Sequence, residues 1–330
     1  MKKFEIGVIG AGRITQEAHL PVLTSMPNVR VAWIADADES RARSVARTYG
    51  LHYITLPSSP VNLPDCDVVL LAIPVGARAG YYKELSDRGV GVFVEKPFAR
   101  TGEEHKEIVA LFPPHLVGCG YLRRTYASTA LLRTFISENW FGSLLKLQIF
   151  EGARTTRTGV DTPFLDNIHA AGGGILMDLG CHTLDLAVFI TQASKYEILN
   201  CQMVFDGEID RKVDARIRLF RDGLCFDLEY RISWLDRQVN VIELEFPHIN
   251  VSVGTRPGSS IELRGMNARQ GQCRLEPFSQ GARTIFQAFF LEWSMFLQGI
   301  EENKPSLMSA VGALLTTVLM EDLYKKRDPL

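Results

Sequence analysis

Apolar and polar positions follow two different rhythms along this chain. Up to about residue 120, apolar runs of strand length at Phe4–Ile9, Val29–Ala35, Asp67–Ile73, Gly91–Val94 and Leu116–Cys119 alternate with helical patterns. Those patterns run from Ile14 to about Leu23, over 38–48, Ala77–Arg88 and Thr101–Leu111, the last opening on Thr101 with Glu104 in a capping box. Apolar strands separated by helices predict a mostly parallel sheet covered on both faces. Beyond Tyr121 the rhythm changes. A helix at Ala127–Glu138, a strand at Leu144–Glu151 and a long polar loop lead to a glycine-rich helix start at Gly172. Period-two strands follow at 197–205, 213–221, 224–232 and 239–246, with shorter ones around 250–253 and 260–264. Arg221-Asp222-Gly223 marks a hairpin, so this second sheet reads as largely antiparallel. One of its faces packs on helices. The other, with Phe220, Phe226, Leu228 and Tyr230 among its candidates, is a possible subunit interface. Helices at Thr284–Gly299, whose aromatic residues read as core, and at about Ser309–Lys326 close the chain. The change of rhythm places one domain at 1–120 and a second at 121–330.

Composition narrows the classes of function without naming one. The 330 residues are 46% hydrophobic and 22% charged with a formal net charge of -2, which gives no general reason to expect a nucleic-acid partner. No apolar run reaches membrane-spanning length, and Met1–Glu5 leads directly into a strand, so no membrane partner and a cytoplasmic location are expected. The six cysteines, Cys66, Cys119, Cys181, Cys201, Cys225 and Cys273, form no CxxC pair and read as buried thiols.

The first chemistry lies at the end of the first strand. Gly10-Ala11-Gly12 sits between strand and helix, where a tight turn, close backbone approach and helix-end N–H groups hold a dinucleotide pyrophosphate. Thr15 replaces the third glycine of the usual pattern, and its hydroxyl can bond locally. Asp36 ends the second strand, where a carboxylate binds adenosine ribose hydroxyls and repels a 2′-phosphate, the alternative being a strand-end or helix-capping aspartate. This favours NAD(H) over NADP(H), with Arg41 and Arg43 on the opposing side of the argument. Lys96 follows the strand Gly91–Val94 at the ligand-binding edge of such a sheet, with Pro97 restricting its backbone. It can hold a substrate hydroxyl and stabilise oxyanion character, or be a surface lysine paired with Glu95.

The second chemistry lies in Gly172–Asp185, GGGILMDLGCHTLD. Asp178, His182 and Asp185 share one helical face. A histidine, titrating at about 6.5, takes and returns protons near neutrality. Either aspartate can orient it, and a core histidine satisfied by one of them is the plain alternative. Two aspartates and a histidine on one helix also suit a cation, but no second cluster completes a shell, so no metal is expected. Arg154 and Arg157 in the preceding loop hint at an anionic substrate.

IGVIGAGRI at Ile6–Ile14, ADADESRA at Ala35–Ala42, VEKPFA at Val94–Ala99 and GGGILMDLGCHTLD at Gly172–Asp185, in this order and spacing, resemble the glucose–fructose oxidoreductase / myo-inositol dehydrogenase / rhizopine-catabolism (Gfo/Idh/MocA) family. The resemblance spans nearly the whole chain. It implies an N-terminal Rossmann domain followed by an α/β domain with an open, predominantly antiparallel sheet that supports homodimers or homotetramers. It implies oxidation or reduction of a secondary alcohol or ketone carbon of a sugar, cyclitol or sugar-acid derivative. By the same resemblance Lys96 approaches nicotinamide and substrate, His182 is the proton donor or acceptor, and Asp178 takes the acidic position. Gly10, Gly12, Arg13, Ile14, Asp36, Arg41, Pro74, Arg78, Glu95 and Lys96 make up the cofactor side; Lys96, Arg154, Asp178 and His182 make up the substrate side. Pro74-Val75-Gly76-Ala77-Arg78 departs from the family's usual asparagine and histidine, so Arg78 is expected to put a permanent charge near the cofactor edge. Two further readings are an NAD-dependent glycoside hydrolase without net redox and a non-catalytic NAD-binding sensor or partner protein.

Overall fold

The computed structural model describes residues 2–56, 62–152, 171–266, 271–277 and 281–329. They form two compact units, one of residues 1–121 with 285–314 and one of 122–284 with 315–330. The division thus differs from the single break at 120 expected from the rhythm, because the chain returns. Helix α7 (Ile285–Glu302) belongs to the first unit, and its aromatic face explains why. Trp293 and Phe296 pack on Phe93 of the strand Gly91–Val94, with ring centroids 4.6 and 5.1 Å apart, and Phe289 faces His19 at 5.0 Å. Rings of this size bury enough apolar surface to fix a helix far from the rest of its unit in sequence.

The first unit carries β1 (Phe4–Ile9), β2 (Val29–Ala35), β3 (Val68–Leu71), β4 (Gly91–Val94) and β5 (Val117–Cys119) in the order β2-β1-β3-β4-β5. Every pairing is parallel. β3 and β4 are buried at every residue, as strands covered on both faces must be. The intervening helices are α1 (Leu20–Ser25), entered through a π-helical turn at Thr15–His19, then α2 (Glu39–Tyr49), α3 (Ala79–Asp87) and α4 (Gly102–Leu111). Thr101 caps α4, accepting from the backbone N–H of Glu104 at 3.1 Å. Strand order reverses between β1 and β3, the point at which open α/β sheets bind ligands beyond their carboxyl ends.

The second unit holds α5 (Ala127–Ser137), β6 (Lys146–Gly152), a π-helical turn at Leu176–Gly180 continuing into α6 (Cys181–Thr191), and α8 (Leu314–Lys325). Strands β7 (Lys195–Asp206), β8 (Ile209–Arg221), β9 (Leu224–Ser233), β10 (Val241–Glu245), β11 (Ile249–Gly254), β12 (Ile261–Gly265), β13 (Gln272–Leu275) and β14 (Asp328–Pro329) follow. Their order is β13-β12-β11-β10-β6-β9-β8-β7-β14, antiparallel except at β6–β9 and β7–β14. Alternation corrects one expectation. Phe226, Leu228 and Tyr230 are on the covered face, where the Tyr230 hydroxyl bonds Thr183 of α6 at 2.7 Å. The opposite face bears cross-strand ion pairs, Arg231–Asp214 at 2.7 Å, Arg218–Asp227 at 2.8 Å and Lys146–Glu229 at 2.9 Å. That face is largely charged, although Phe150 lies under Arg231 at 5.4 Å and Phe220, alternating with buried Leu219, is on it as expected.

Cys119, Cys181 and Cys201 are buried as expected, but Cys225 and Cys273 are exposed. No helix among the described residues is long and apolar enough to cross a membrane.

Candidate active site

The glycine turn after β1 has the shape the sequence requires. Gly10 adopts φ +103°, and a Cβ there would lie 2.3 Å from the carbonyl oxygen of Ala72, so only glycine fits. Gly12 differs. A Cβ at Gly12 would meet no protein atom within 4 Å, so space beside it is left for a group approaching the backbone. Thr15 is fully buried and donates its hydroxyl to the Gly10 carbonyl at 2.6 Å, closing the turn in place of the missing glycine. Asp36 accepts the backbone N–H of Ala11 at 2.7 Å and that of Asp38 at 2.8 Å. It therefore ties the end of β2 to the glycine turn. Capping of α2 falls to Asp38, which accepts from the Arg41 N–H at 3.2 Å. Arg41 is half exposed, with Nη1 3.5 Å from Asp36 and Nη2 3.3 Å from Asp38. Arg13 pairs with Glu17 at 3.5 Å on the surface, and Ile14 is exposed beside it. These residues, a glycine turn opening on helix N–H groups with a carboxylate at the next strand end, fit a dinucleotide.

The loops after β3 and β4 are joined by Arg78. Its guanidinium donates Nε–H to the Ile73 carbonyl at 2.9 Å and Nη1–H to the Pro97 carbonyl at 2.6 Å. Arg78 is 2% exposed. The charge expected near the cofactor edge is therefore not an open group: this arginine is a clamp between two loops, one of them starting at Pro74 and the other carrying Lys96. From Val90 to Ala99, Lys96 alone retains solvent access. Glu95 does not pair outward. Its Oε1 lies 2.7 Å from Nε2 of the buried His19. Burial pushes the Glu95 carboxyl up, but the His19 bond and the Lys96 and Arg78 charges outweigh it and hold the group below the usual carboxylate range.

In the second unit, the segment from Gly173 to Val188 is buried except at Asp178, Leu179 and His182. A buried segment that keeps an acid and an imidazole at an accessible patch is arranged for contact with a solute. The π-helical turn at Leu176–Gly180 contains Asp178, and such turns recur at functional sites. Asp185 is withdrawn from this patch. It forms a buried ion pair with Arg124, which donates Nε–H to Oδ2 at 2.8 Å and Nη2–H to Oδ1, and Thr316 adds a hydroxyl at 3.4 Å. Asp178 is left as the carboxylate that shares the accessible face with His182.

Two anchors of this helix escaped the sequence reading. Asp210, fully buried on β8, accepts the N–H groups of Gly174 and Leu176 at 2.6 and 2.8 Å and the Tyr324 hydroxyl at 2.8 Å. It caps the start of the site helix from another strand. Arg124 is the other anchor, and its neighbour Arg123 is paired with Glu151 at 2.6 and 3.0 Å. Adjacent arginines just past the first unit were the only local signal. Asp210→Asn keeps one acceptor oxygen but removes the charge, and is expected to cost about 1–2 kcal/mol in denaturant unfolding. A variant as stable as the parent would show that the cap contributes nothing.

Arg154 and Arg157, with the rest of 153–170, lie outside the described residues. A cavity of about 650 Å³ in the second unit is lined by Trp140, Phe141, Pro247, His248, Ile249 and Cys273, among others, and includes none of the expected site residues.

Residues 4–121 match the model described as oxidoreductase family, NAD-binding Rossmann fold. The rhizopine catabolism protein MocA of Rhizobium meliloti is 24% identical over 65% of this chain and 66% of its own length. Levoglucosan dehydrogenase of Pseudarthrobacter phenanthrenivorans is 30% identical over 58% of this chain and 52% of its own length. The chain thus matches between about half and two thirds of the length of these curated relatives. In fold, a solved levoglucosan dehydrogenase in complex with NADH and L-sorbose is similar across 99% of this chain and 97% of that one, with a TM-score of 0.85 at 19% identity. With its glycine turn, strand-end aspartate and parallel sheet, the matched region 4–121 is an NAD-binding Rossmann domain of the oxidoreductase family, and the chain is similar to the rhizopine catabolism protein MocA and to levoglucosan dehydrogenase.

Proposed function

We propose that this protein is an NAD(H)-dependent oxidoreductase acting at a secondary alcohol or ketone carbon of a sugar, cyclitol or sugar-acid derivative. The observation that carries the reading is selective exposure: Lys96 in one unit, and Asp178 and His182 in the other, are the polar groups left accessible in otherwise buried segments. The names of the relatives, levoglucosan dehydrogenase among them, support a polyhydroxylated substrate.

Gly10, Gly12, Arg13, Ile14 and Asp36 would hold the dinucleotide, with Arg41 beside its adenosine end and Pro74, Glu95 and Lys96 toward its nicotinamide. When bound, the cofactor supplies hydride acceptance in oxidation and hydride donation in reduction. In the oxidative direction a ring nitrogen of His182 takes the proton of the reacting hydroxyl. On the resemblance, the Lys96 ammonium would hold a substrate oxygen and stabilise the negative character it develops. Asp178 orients His182 or a neighbouring substrate hydroxyl. In reduction the protonated imidazole returns the proton. Arg78 serves this arrangement indirectly, by holding the Lys96 loop through the Pro97 carbonyl.

The reading is tested by incubating the purified protein with NAD+ and a panel of neutral and carboxylated sugars and cyclitols while following NADH absorbance. Accumulating NADH supports it. Nucleotide binding with no turnover across the panel would overturn it. Cofactor choice has its own test. Asp36→Asn retains an acceptor for the Ala11 N–H but loses the charge that repels a 2′-phosphate. The ratio of NADPH to NADH affinity is expected to rise about tenfold, the equivalent of one charge-assisted contact, in fluorescence titrations. An unchanged ratio would remove Asp36 from the adenosine site.

A further inference from the structure

Behind Lys96 the first unit encloses a group of polar side chains that the reaction described above does not use. His19, Glu95 and Glu292 place one ligand-type atom each within 4.8 Å of one another, and all three are buried. Such a trio suggests a divalent cation, but the histidine is in the wrong tautomer. The Trp293 indole can only donate, and its Nε1–H points at Nδ1 of His19 at 3.0 Å. The ring proton is therefore on Nε2, directed at Glu95 2.7 Å away. Coordination through Nε2 would require the proton on Nδ1, facing another donor.

Without a cation, two carboxyl groups share a dry pocket with a neutral imidazole. Glu95 has what an anion needs: the His19 N–H, and the nearby positive charges of Lys96 and Arg78. Glu292 has none of this. It is 0% exposed, and neither of its oxygens has a hydrogen-bond partner among the described residues. Glu95 and His19 are the titratable groups grouped with it, and the charges of Lys96 and Arg78 act on Glu95. An unpaired second carboxylate so placed would meet both desolvation and like-charge repulsion. One proton must reside in the pair, and the geometry assigns it to the member without partners.

We infer that Glu292 is a positioning residue held as a neutral carboxylic acid, which keeps a single negative charge, that of Glu95, behind Lys96. The inference rests on the reading of Lys96 as the group that holds the substrate oxygen. Burial first, and then the Glu95 charge, push the Glu292 carboxyl well above the usual carboxylate range, in agreement with this geometry. When Glu292 does ionise, the two carboxylates repel and the His19–Glu95 bond that fixes the root of Lys96 is loosened. Ionisation of Glu292 thus sets an alkaline limit on activity. The same group makes stability pH-dependent. Its folded pKa is raised, so the stability it contributes is full below the unfolded value and is lost as pH rises through the folded one.

Glu292→Gln tests this, because the amide copies the shape and neutrality of the acid but cannot ionise. Infrared spectra of the intact protein are expected to lose one protonated-carboxyl C=O band in the variant. The alkaline limb of NADH-linked turnover, measured on levoglucosan, myo-inositol and scyllo-inositol, is expected to move up by about one pH unit. The decline in unfolding free energy that sets in above the ordinary carboxyl value of about 4.3 is expected to flatten. A spectrum with no carboxyl band lost, or an alkaline limb that stays in place or moves down, overturns the inference. Lys96→Ala separates the two readings. If that variant turns over normally while Glu292→Gln still loses the band, the role of Lys96 fails and the protonated Glu292 stands.

Discussion

His182→Ala is expected to lower turnover about 10²–10⁴-fold, the usual contribution of a positioned acid–base group, with NADH affinity unchanged. The asymmetry is the informative part. His182 is on the helix of the second unit, whereas the glycine turn and Asp36 that would hold the dinucleotide belong to the first. Removing the imidazole takes away the acceptor for the hydroxyl proton and leaves the nucleotide contacts in place. Its neighbours Cys181 and Thr183 are buried, so the helix keeps its seat without the ring. Paired measurements decide the matter: kcat on the fastest substrate of the sugar panel, and Kd for NADH by fluorescence. Wild-type turnover in the variant would remove His182 from the chemistry. Parallel losses of turnover and NADH affinity would instead indicate a structural histidine.

Arg124→Ala is expected to cost about 3–5 kcal/mol of folding stability, because it strands a buried carboxylate. Asp185 has Arg124 as its bidentate partner, and Thr316 adds only a long hydroxyl contact. Burial already pushes the Asp185 carboxyl above its ordinary value, against the opposing pull of Arg124. Without the arginine it rises further, and the folded variant avoids the charge by keeping the proton. The sign follows. A folded pKa raised above the unfolded one gives stability that is present below the unfolded value and lost as pH climbs through the folded one. The deficit against the parent should therefore be small near pH ~4 and grow toward neutrality. Urea unfolding across this range measures it. A deficit independent of pH would mean that lost packing, rather than an unpaired Asp185, accounts for the effect. Arg124→Leu combined with Asp185→Leu, which removes both charges, should recover most of the loss.

Both expectations concern one helix, and they divide what its sequence shows. The spacing of Asp178, His182 and Asp185 puts three polar groups on one face by local geometry alone. It does not distinguish the pair that reaches solvent from the one that meets Arg124. Arg78 poses the same difficulty in the first unit. Five residues after Ile73 and far from Pro97 in sequence, it reads only as a charge near the cofactor edge, and nothing local names the two carbonyls that it clamps. Glu292 lies within an aromatic helix whose core role was evident, but nothing beside it in the chain announces Glu95. In β9, alternation puts Phe226, Leu228 and Tyr230 on one face and Asp227, Glu229 and Arg231 on the other. Which of the two sets faces α6 depends on an element elsewhere in the chain.

What the chain determined by itself was local. Runs of apolar residues set the strands, three- and four-residue spacing set the helices, and a parallel sheet so specified brings Gly10, Asp36 and Lys96 to strand ends. Tertiary structure decided the fate of the charges. Whether an ionisable side chain ends in water, in an ion pair or as a neutral acid depends on the dielectric around it and on partners brought from distant segments. Arg124 reaches Asp185, Asp210 reaches Gly174, and Glu95 comes to lie beside Glu292 only once each unit has folded.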